Sequence, residues 1–238
     1  MLGVSVNMGC VLLGSCLGLL FGSRINQRLI RALFTGVSLC TLAIGVSSMI
    51  QTQDILCVIL CMVFGVLIGE LLRIDDGVEH AGDWILARLP VGLRAGAGRF
   101  TEGFITAGII FCVGSMSVVG SLQAGIHHDY SILYAKSVLD LISSVAFAAT
   151  MGLGVPCSIV FILAFQGGIA LLSSLLAPVL SEAVITEMTA VGGVVLVGMS
   201  LNMLELRQER IRVANMIPAI LLPAVYVPVS NWIKGVIG

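Results

Sequence analysis

Charge is what this sequence most lacks: Asp, Glu, Lys and Arg together make up 11% of its 238 residues, against about a quarter in a soluble globular domain. That scarcity excludes water as the main solvent. A hydrophobic content of 58% and a mean hydropathy of +1.10 say the same from the other side. The formal net charge of -1 argues against nucleic acid as a partner, because phosphate binding needs a basic surface. Catalytic motifs are missing as well. There is no HExxH, no P-loop and no Ser/His/Asp order with a nucleophile elbow, so the chain is not read as an enzyme. The seven cysteines form no CxxC pair and no Cys/His cluster, which leaves metal and cofactor without a ligand set. They read as small buried hydrophobes kept reduced. The N-terminus lacks the basic region of a cleaved signal peptide and places its arginines after the first apolar run, so that run is a retained first span.

What is present is a succession of apolar runs, each of about 20 residues, the length needed to cross a bilayer. About eight such helices are expected, at 4–22, 29–50, 55–72, 102–122, 131–151, 157–176, 183–204 and 213–233. The fold class is all-α, a polytopic membrane helix bundle forming one integral domain over 1–238. The distribution of basic residues tests the count. Arg24, Arg28 and Arg31 fall in the first loop, Arg73, Arg88, Arg94 and Arg99 in the third, and Arg207, Arg210 and Arg212 in the seventh. The second, fourth and sixth loops have neither Lys nor Arg. Under the positive-inside rule this places the three arginine loops in the cytoplasm and both termini outside. The long third loop, 74–99, carries Trp84, Ile85, Leu89 and Leu93 near helical spacing among acidic and basic residues, the pattern of an amphipathic surface helix interrupted near Pro90.

A faint internal similarity relates helices 1–3 (residues 1–73) to helices 6–8 (157–238), with Gly36 set near Gly192 and Gly45 near Gly198. The first unit starts outside and the second inside, so these are inverted repeats, an arrangement common in secondary transporters. The segment 102–151 is then the insert between them, and it holds the least ordinary residues. Lys136 and Asp140 lie four apart, on one helical face within an apolar span. Charges at that depth usually face a partner, a cavity or a substrate path. Either the two neutralise each other structurally, or Lys136 attracts an anionic group while the deeper Asp140 accepts a proton or cation. In the preceding span Gly114 and Ser115 open a run of small residues, Gly114, Ser115, Ser117, Gly120 and Ser121, that suits either an unwound turn or close packing.

Glu187 needs a counter-ion, and Lys136 is the intramembrane cation on offer. Asn7, Gln166, Asn202 and Asn215 are further polar candidates within spans. Glu70 is expected to pair with Arg73 at a helix end, and Asp129 in the His127–His128–Asp129 turn to cap the helix that follows. Gly14, Gly18 and Gly22 form a ridge for close helix packing, inside the chain or between copies in a homo-oligomer. Read together, Lys136, Asp140, Glu187, Gly114, Ser115, Asn202 and Asn215 suggest a small-solute or ion site between helices 4, 5 and 7 of a transporter or permease. The rival is a structural or sensory membrane protein whose buried charges fix helix packing. Besides the lipid bilayer, a small solute or ion is the expected partner.

The blocks FCVGSM, AKSVLD, AVGGVVLVGMSLNML and VANMIPAILLPA, with FGVLIGELLRIDDGV in the first half, resemble the bacterial integral-membrane family catalogued as domain of unknown function five-five-four. The likeness covers essentially the whole chain. It implies a multi-span inner-membrane protein and supports Lys136, Asp140, Gly114, Ser115, Gly192, Gly193, Asn215 and Pro218 as motif positions, assigning none of them a chemical role.

Overall fold

The computed structural model describes residues 1–22, 26–88, 100–206 and 209–237. Those residues form helices α1 (Leu2–Gly22), α2 (Gln27–Met49), α3 (Ile55–Leu72), α4 (Ile74–Arg88), α5 (Phe100–Cys112), α6 (Ser115–Ile126), α7 (Ser131–Met151), α8 (Gly154–Leu171), α9 (Glu182–Met203), α10 (Val213–Leu221) and α11 (Pro223–Ile237). The all-α reading holds. Six helices, α1, α2, α3, α7, α8 and α9, are long and apolar enough to span a membrane, and two bent pairs bring the number to eight if each pair is one span. Helix ends are closed by short polar side chains, which take up N–H groups that a helix start leaves unpaired: Asn26 accepts from Arg28 N, Asp54 from Leu56 N and Cys57 N, and Ser181 from Val184 N.

The fourth and eighth expected helices are not continuous. The fourth turns by 62° between α5 and α6, and the eighth by 41° between α10 and α11, ahead of Pro223. The sixth is interrupted by a wide turn over Leu163–Gly167, with five-residue rather than four-residue hydrogen bonding. The third loop contains the expected surface helix as α4, with Trp84 58% exposed. Its remaining expected features, Leu89, Pro90, Leu93, Arg94 and Arg99, lie outside the described residues, as do Arg24 and Arg207.

Packing is set by small residues, since lipid gives helices little hydrophobic reason to associate. α1 lies along α7, and Gly14 and Gly18 make that crossing close enough for a Cβ to strike the Leu141 and Val145 carbonyls. α2 lies along α9, where a Cβ on Gly45 would sit 2.9 Å from the Gly193 carbonyl and one on Gly193 2.6 Å from that of Gly45. α3 packs on α10, and α5 on α8. The Gly14 ridge is therefore spent inside the chain. α9 is the most enclosed spanning helix, 72% of its apolar window being buried, against 22–44% for the other five. Leucines such as Leu13, Leu20, Leu71 and Leu175 point outward at 63–83% exposure, the lipid-facing surface of a membrane bundle.

Two faces result. One collects Arg73, Arg210 and Arg212, with Glu79 within 3.6 Å of Arg210 and Glu70 within 3.7 Å of Arg212. Glu70 thus pairs across to the seventh loop and not with its near neighbour Arg73, whose left-handed backbone (φ 50°) ends α3. The opposite face collects the start of α1, the loop at Thr52, the His127–Asp129 turn and the start of α9. There Asp129 accepts from Ser131 N at 2.9 Å and Ser131 Oγ at 2.7 Å, as expected of a capping residue.

Candidate functional site

The site begins at the bend between α5 and α6. Gly114 has φ 122° and ψ 146°, a conformation only glycine adopts without strain. This break leaves the Phe111 carbonyl without its helical partner, and an orphan carbonyl in a membrane core must be satisfied. Ser117 Oγ donates to it at 2.9 Å and Gln166 Nε2 at 3.2 Å. Gln166 belongs to the wide turn of α8, and such turns are frequent at functional positions.

From Gln166 a chain of hydrogen bonds runs inward. Asn7 Nδ2 of α1 donates to Gln166 Oε1 at 3.1 Å and to Asp140 Oδ2 at 3.0 Å, and Lys136 Nζ donates to the same Asp140 oxygen at 2.6 Å. Asn7, Ser117 and Gln166 are completely buried, and Lys136 and Asp140 are 6% exposed. The pair is neutral as a unit, and each ion offsets part of the cost of burying the other. Spans 1, 4, 5 and 6 are thereby tied together. Asn7 Oδ1 is buried with no partner.

Outside this chain, on the face opposite the arginines, a cavity of about 550 Å³ opens between α6 and α9. Its walls include Gln123, His127, Glu182 and Thr186, and Ser115 and Thr189 also line it. Ser115 to Ile126 is twelve residues, a depth of about 16 Å along the helix. The cavity therefore ends at the break, with Ser115 on the cavity side and Phe111 and Ser117 on the side of the hydrogen-bond chain.

The structure pairs Lys136 with Asp140 and links them through Asn7 and Gln166 to Phe111 and Ser117 on either side of Gly114, while Ser115 lines the cavity and Glu187, Asn202 and Asn215 lie elsewhere. Glu187 is a correction. Lys136 is not its counter-ion; instead Thr52 Oγ1 donates to it at 2.6 Å, Gln53 N at 2.8 Å and Asp54 N at 3.2 Å. The carboxylate closes the loop before α3, beside a second cavity of about 200 Å³ that Asp54, Tyr226 and Ser230 also line. Asn202 bonds both backbone groups of Ile211, N–H and C=O, at 2.8 Å, which pins the seventh loop. Asn215 accepts from Asp75 N at 2.7 Å while Asp75 Oδ1 accepts from Ala214 N at 3.3 Å, a clasp between α4 and α10 at the arginine face. Thr52 and Asp75 escape sequence reasoning because a polar residue at a helix boundary is unremarkable until its partner, more than a hundred residues away, is known. Among the described residues no three His, Cys, Asp or Glu side chains are grouped to hold a metal.

The family model described as "Protein of unknown function (DUF554)" matches residues 2–228. The chain belongs to that family. Two of its relatives are an "Uncharacterized membrane protein YdfK" of Bacillus subtilis (strain 168), 25% identical over 95% of this chain and 96% of the relative, and an "Uncharacterized protein YqgA" of Escherichia coli (strain K12), 27% identical over 93% and 94%. No solved structure matches. Membership over nearly the full length, with one relative described as a membrane protein, agrees with a membrane helix bundle.

Proposed function

We propose that the chain is a transporter or permease for a small solute or ion, with its binding region where the α6–α9 cavity meets the break at Gly114. The observation that carries this reading is the cavity itself, about 550 Å³, within the size range of small-molecule sites, and ending on a discontinuous spanning helix. Discontinuous helices inside a membrane are tolerated where they line a wet cavity or are buried in protein. α6 starts there without a side-chain cap, and with Ser117 N bonded to the Gly114 carbonyl the Ser115 and Met116 N–H groups are the ones available to an oxygen of a bound solute. The arginine distribution supports a cytoplasmic arginine face in a bacterial inner membrane, hence a cavity open to the outside and both termini outside. Helix partnership supports the inverted repeat: exchanging spans 1 with 6, 2 with 7, 3 with 8 and 4 with 5 maps the pairings 1–5 and 4–6 onto each other and leaves 2–7 and 3–8 unchanged. Asn7 and Gln166, bonded to each other, come from the exchanged spans 1 and 6.

The test is uptake into proteoliposomes from a panel of small amino acids, carboxylates and inorganic cations. Wild type is expected to accumulate at least one of them, and Thr189→Trp, which fills the foot of the cavity, to abolish that uptake while the protein remains monodisperse. Well-folded wild type that moves no member of the panel, in vesicles where a control transporter is active, removes the reading. The packing role for the Lys136–Asp140 pair, whose charges already neutralise each other at 2.6 Å, is then the one left standing.

A further inference from the structure

The centre of the bundle is neutral but not fully bonded. An ammonium has three donors, and the bond described for Lys136 uses one, on Asp140 Oδ2. Asn7 Oδ1, a few ångströms away on the amide that bonds Asp140, has no partner at all. Of the five buried side-chain atoms without a partner among the described residues, it is the one carried by an amide that bonds an ion pair. The knot also leads somewhere: each step from Asp140 through Asn7 and Gln166 ends on the Phe111 carbonyl and Ser117, which bracket the bend at Gly114.

We propose that Asp140 is a proton-binding residue, and that its protonation is passed through Asn7 and Gln166 to the Gly114 bend so that the cavity opens or closes with proton occupancy. This rests on the transporter reading and names its coupling ion. In chemical terms a proton from water forms an O–H bond with the Asp140 carboxylate, and no covalent bond breaks. The pair passes from neutral to a net charge of +1. Lys136 and Asn7 then lose an anionic acceptor, and the charge-assisted bonds become ordinary ones. An ammonium without an anion is strongly disfavoured in a dry core, so the arrangement that admits water to Lys136 gains population. Asn7 is released at the same moment, Gln166 with it, and the Phe111 carbonyl loses the donor that steadies the bend.

A proton fits better than a metal cation. Asp140 Oδ2 already receives two donors, one of them a cation, and the described residues hold no cluster of metal ligands. The other titratable groups around Asp140 are few. Lys136 lies on its own helix, and the Cys112 thiol of α5 is close enough to feel both charges. α1, α6 and α8 carry no charged residue; the charges of α2, Arg28 and Arg31, and Glu102 of α5 lie toward the opposite ends of their helices.

The experiment uses the full chain in liposomes, with Ser115→Cys as the single cysteine and a membrane-impermeant thiol reagent as probe. The labelling rate of Ser115→Cys, divided at each pH by that of a free thiol so that ordinary thiolate ionisation cancels, is expected to change by about tenfold across a pH titration, a typical size for coupling between sites. Asp140→Asn is expected to flatten that dependence, and Gln166→Leu to flatten it while leaving Asp140 able to titrate, read as a carboxylic-acid infrared band that Asp140→Asn removes. A rate that is finite but independent of pH, or a pH dependence that survives in Asp140→Asn, overturns the coupling and leaves the cavity intact. Absence of labelling at every pH overturns the open cavity, and the coupling with it. A titrating infrared band in an otherwise unmodified wild type guards against damage from replacing the cysteines: if no such band appears at any pH, Asp140 binds no proton and the proposal fails.

Discussion

Two of the buried carboxylates, Asp140 and Glu187, are accommodated in opposite ways. Asp140, 6% exposed, is met by an ammonium and an amide. Glu187, 3% exposed, is met by a hydroxyl and two backbone N–H groups, none of them charged. The first solution is available anywhere a lysine can be placed one turn away. The second exists only where another segment presents the unpaired N–H groups of a helix start, as the loop before α3 does. An ion pair keeps a proton-dependent charge balance in the core; a cage of neutral donors simply holds a negative charge in place. That difference is why the proposed switch is placed at Asp140 and not at Glu187.

The comparison breaks most visibly if either member of the pair is removed alone. Asp140→Leu leaves Lys136 uncompensated and is expected to cost about 3–5 kcal/mol in an unfolding titration of the purified protein in micelles. The double variant Lys136→Met, Asp140→Leu should recover most of that loss. Failure to recover would mean that the pair does more than neutralise itself. Glu187→Gln is the next effect in size, about 2 kcal/mol, the range for hydrogen bonds to a charged group, with no stranded cation to add to it. Because Glu187 and Lys136 share no partner, Glu187→Gln combined with Lys136→Met should be additive to within about 0.5 kcal/mol; a larger interaction energy in that cycle would restore the counter-ion reading. Thr52→Val, which deletes one of three donors to Glu187, should cost about 1 kcal/mol.

A third carboxylate, exposed in the turn before α7, sets the lower limit. The Ser131 N–H, and after it the Ser131 hydroxyl, hold the Asp129 carboxyl below its usual range. A depressed carboxyl contributes stability that is present above its unfolded value and is lost as the pH falls through its folded one. Acid titration of the unfolding midpoint should therefore show the smallest difference of the set between wild type and Asp129→Ala, confined to the acid side, since solvent screens an exposed group.

Much of the fold is legible in the residues. Runs of about 20 apolar residues predict the spans, small-residue ridges predict where helices meet, and loop arginines predict one shared face for Arg73, Arg210 and Arg212, because each signal is local or periodic along the chain. Lys136 and Asp140 are legible for the same reason: a spacing of four is a contact within one helix. The partners Asn7 and Gln166 are visible as polar residues in apolar runs, yet nothing in their spacing says that they touch. Glu187 misleads, since counting charges finds Lys136 while the donors that hold it are main-chain N–H groups, invisible in composition. Gly114 invites two readings, bend or packing, and only the conformation at φ 122° separates it from Gly120, which packs against Leu133.

The sequence by itself thus determined a helical membrane protein with a charge pair one turn long in its fifth span, because hydropathy and helical period are properties of neighbouring residues. Which spans lie side by side, where the fourth one breaks, and that the break, Gln166, Asn7 and Asp140 form one bonded chain were decided only by the tertiary structure, because those contacts join positions 49 to 159 residues apart.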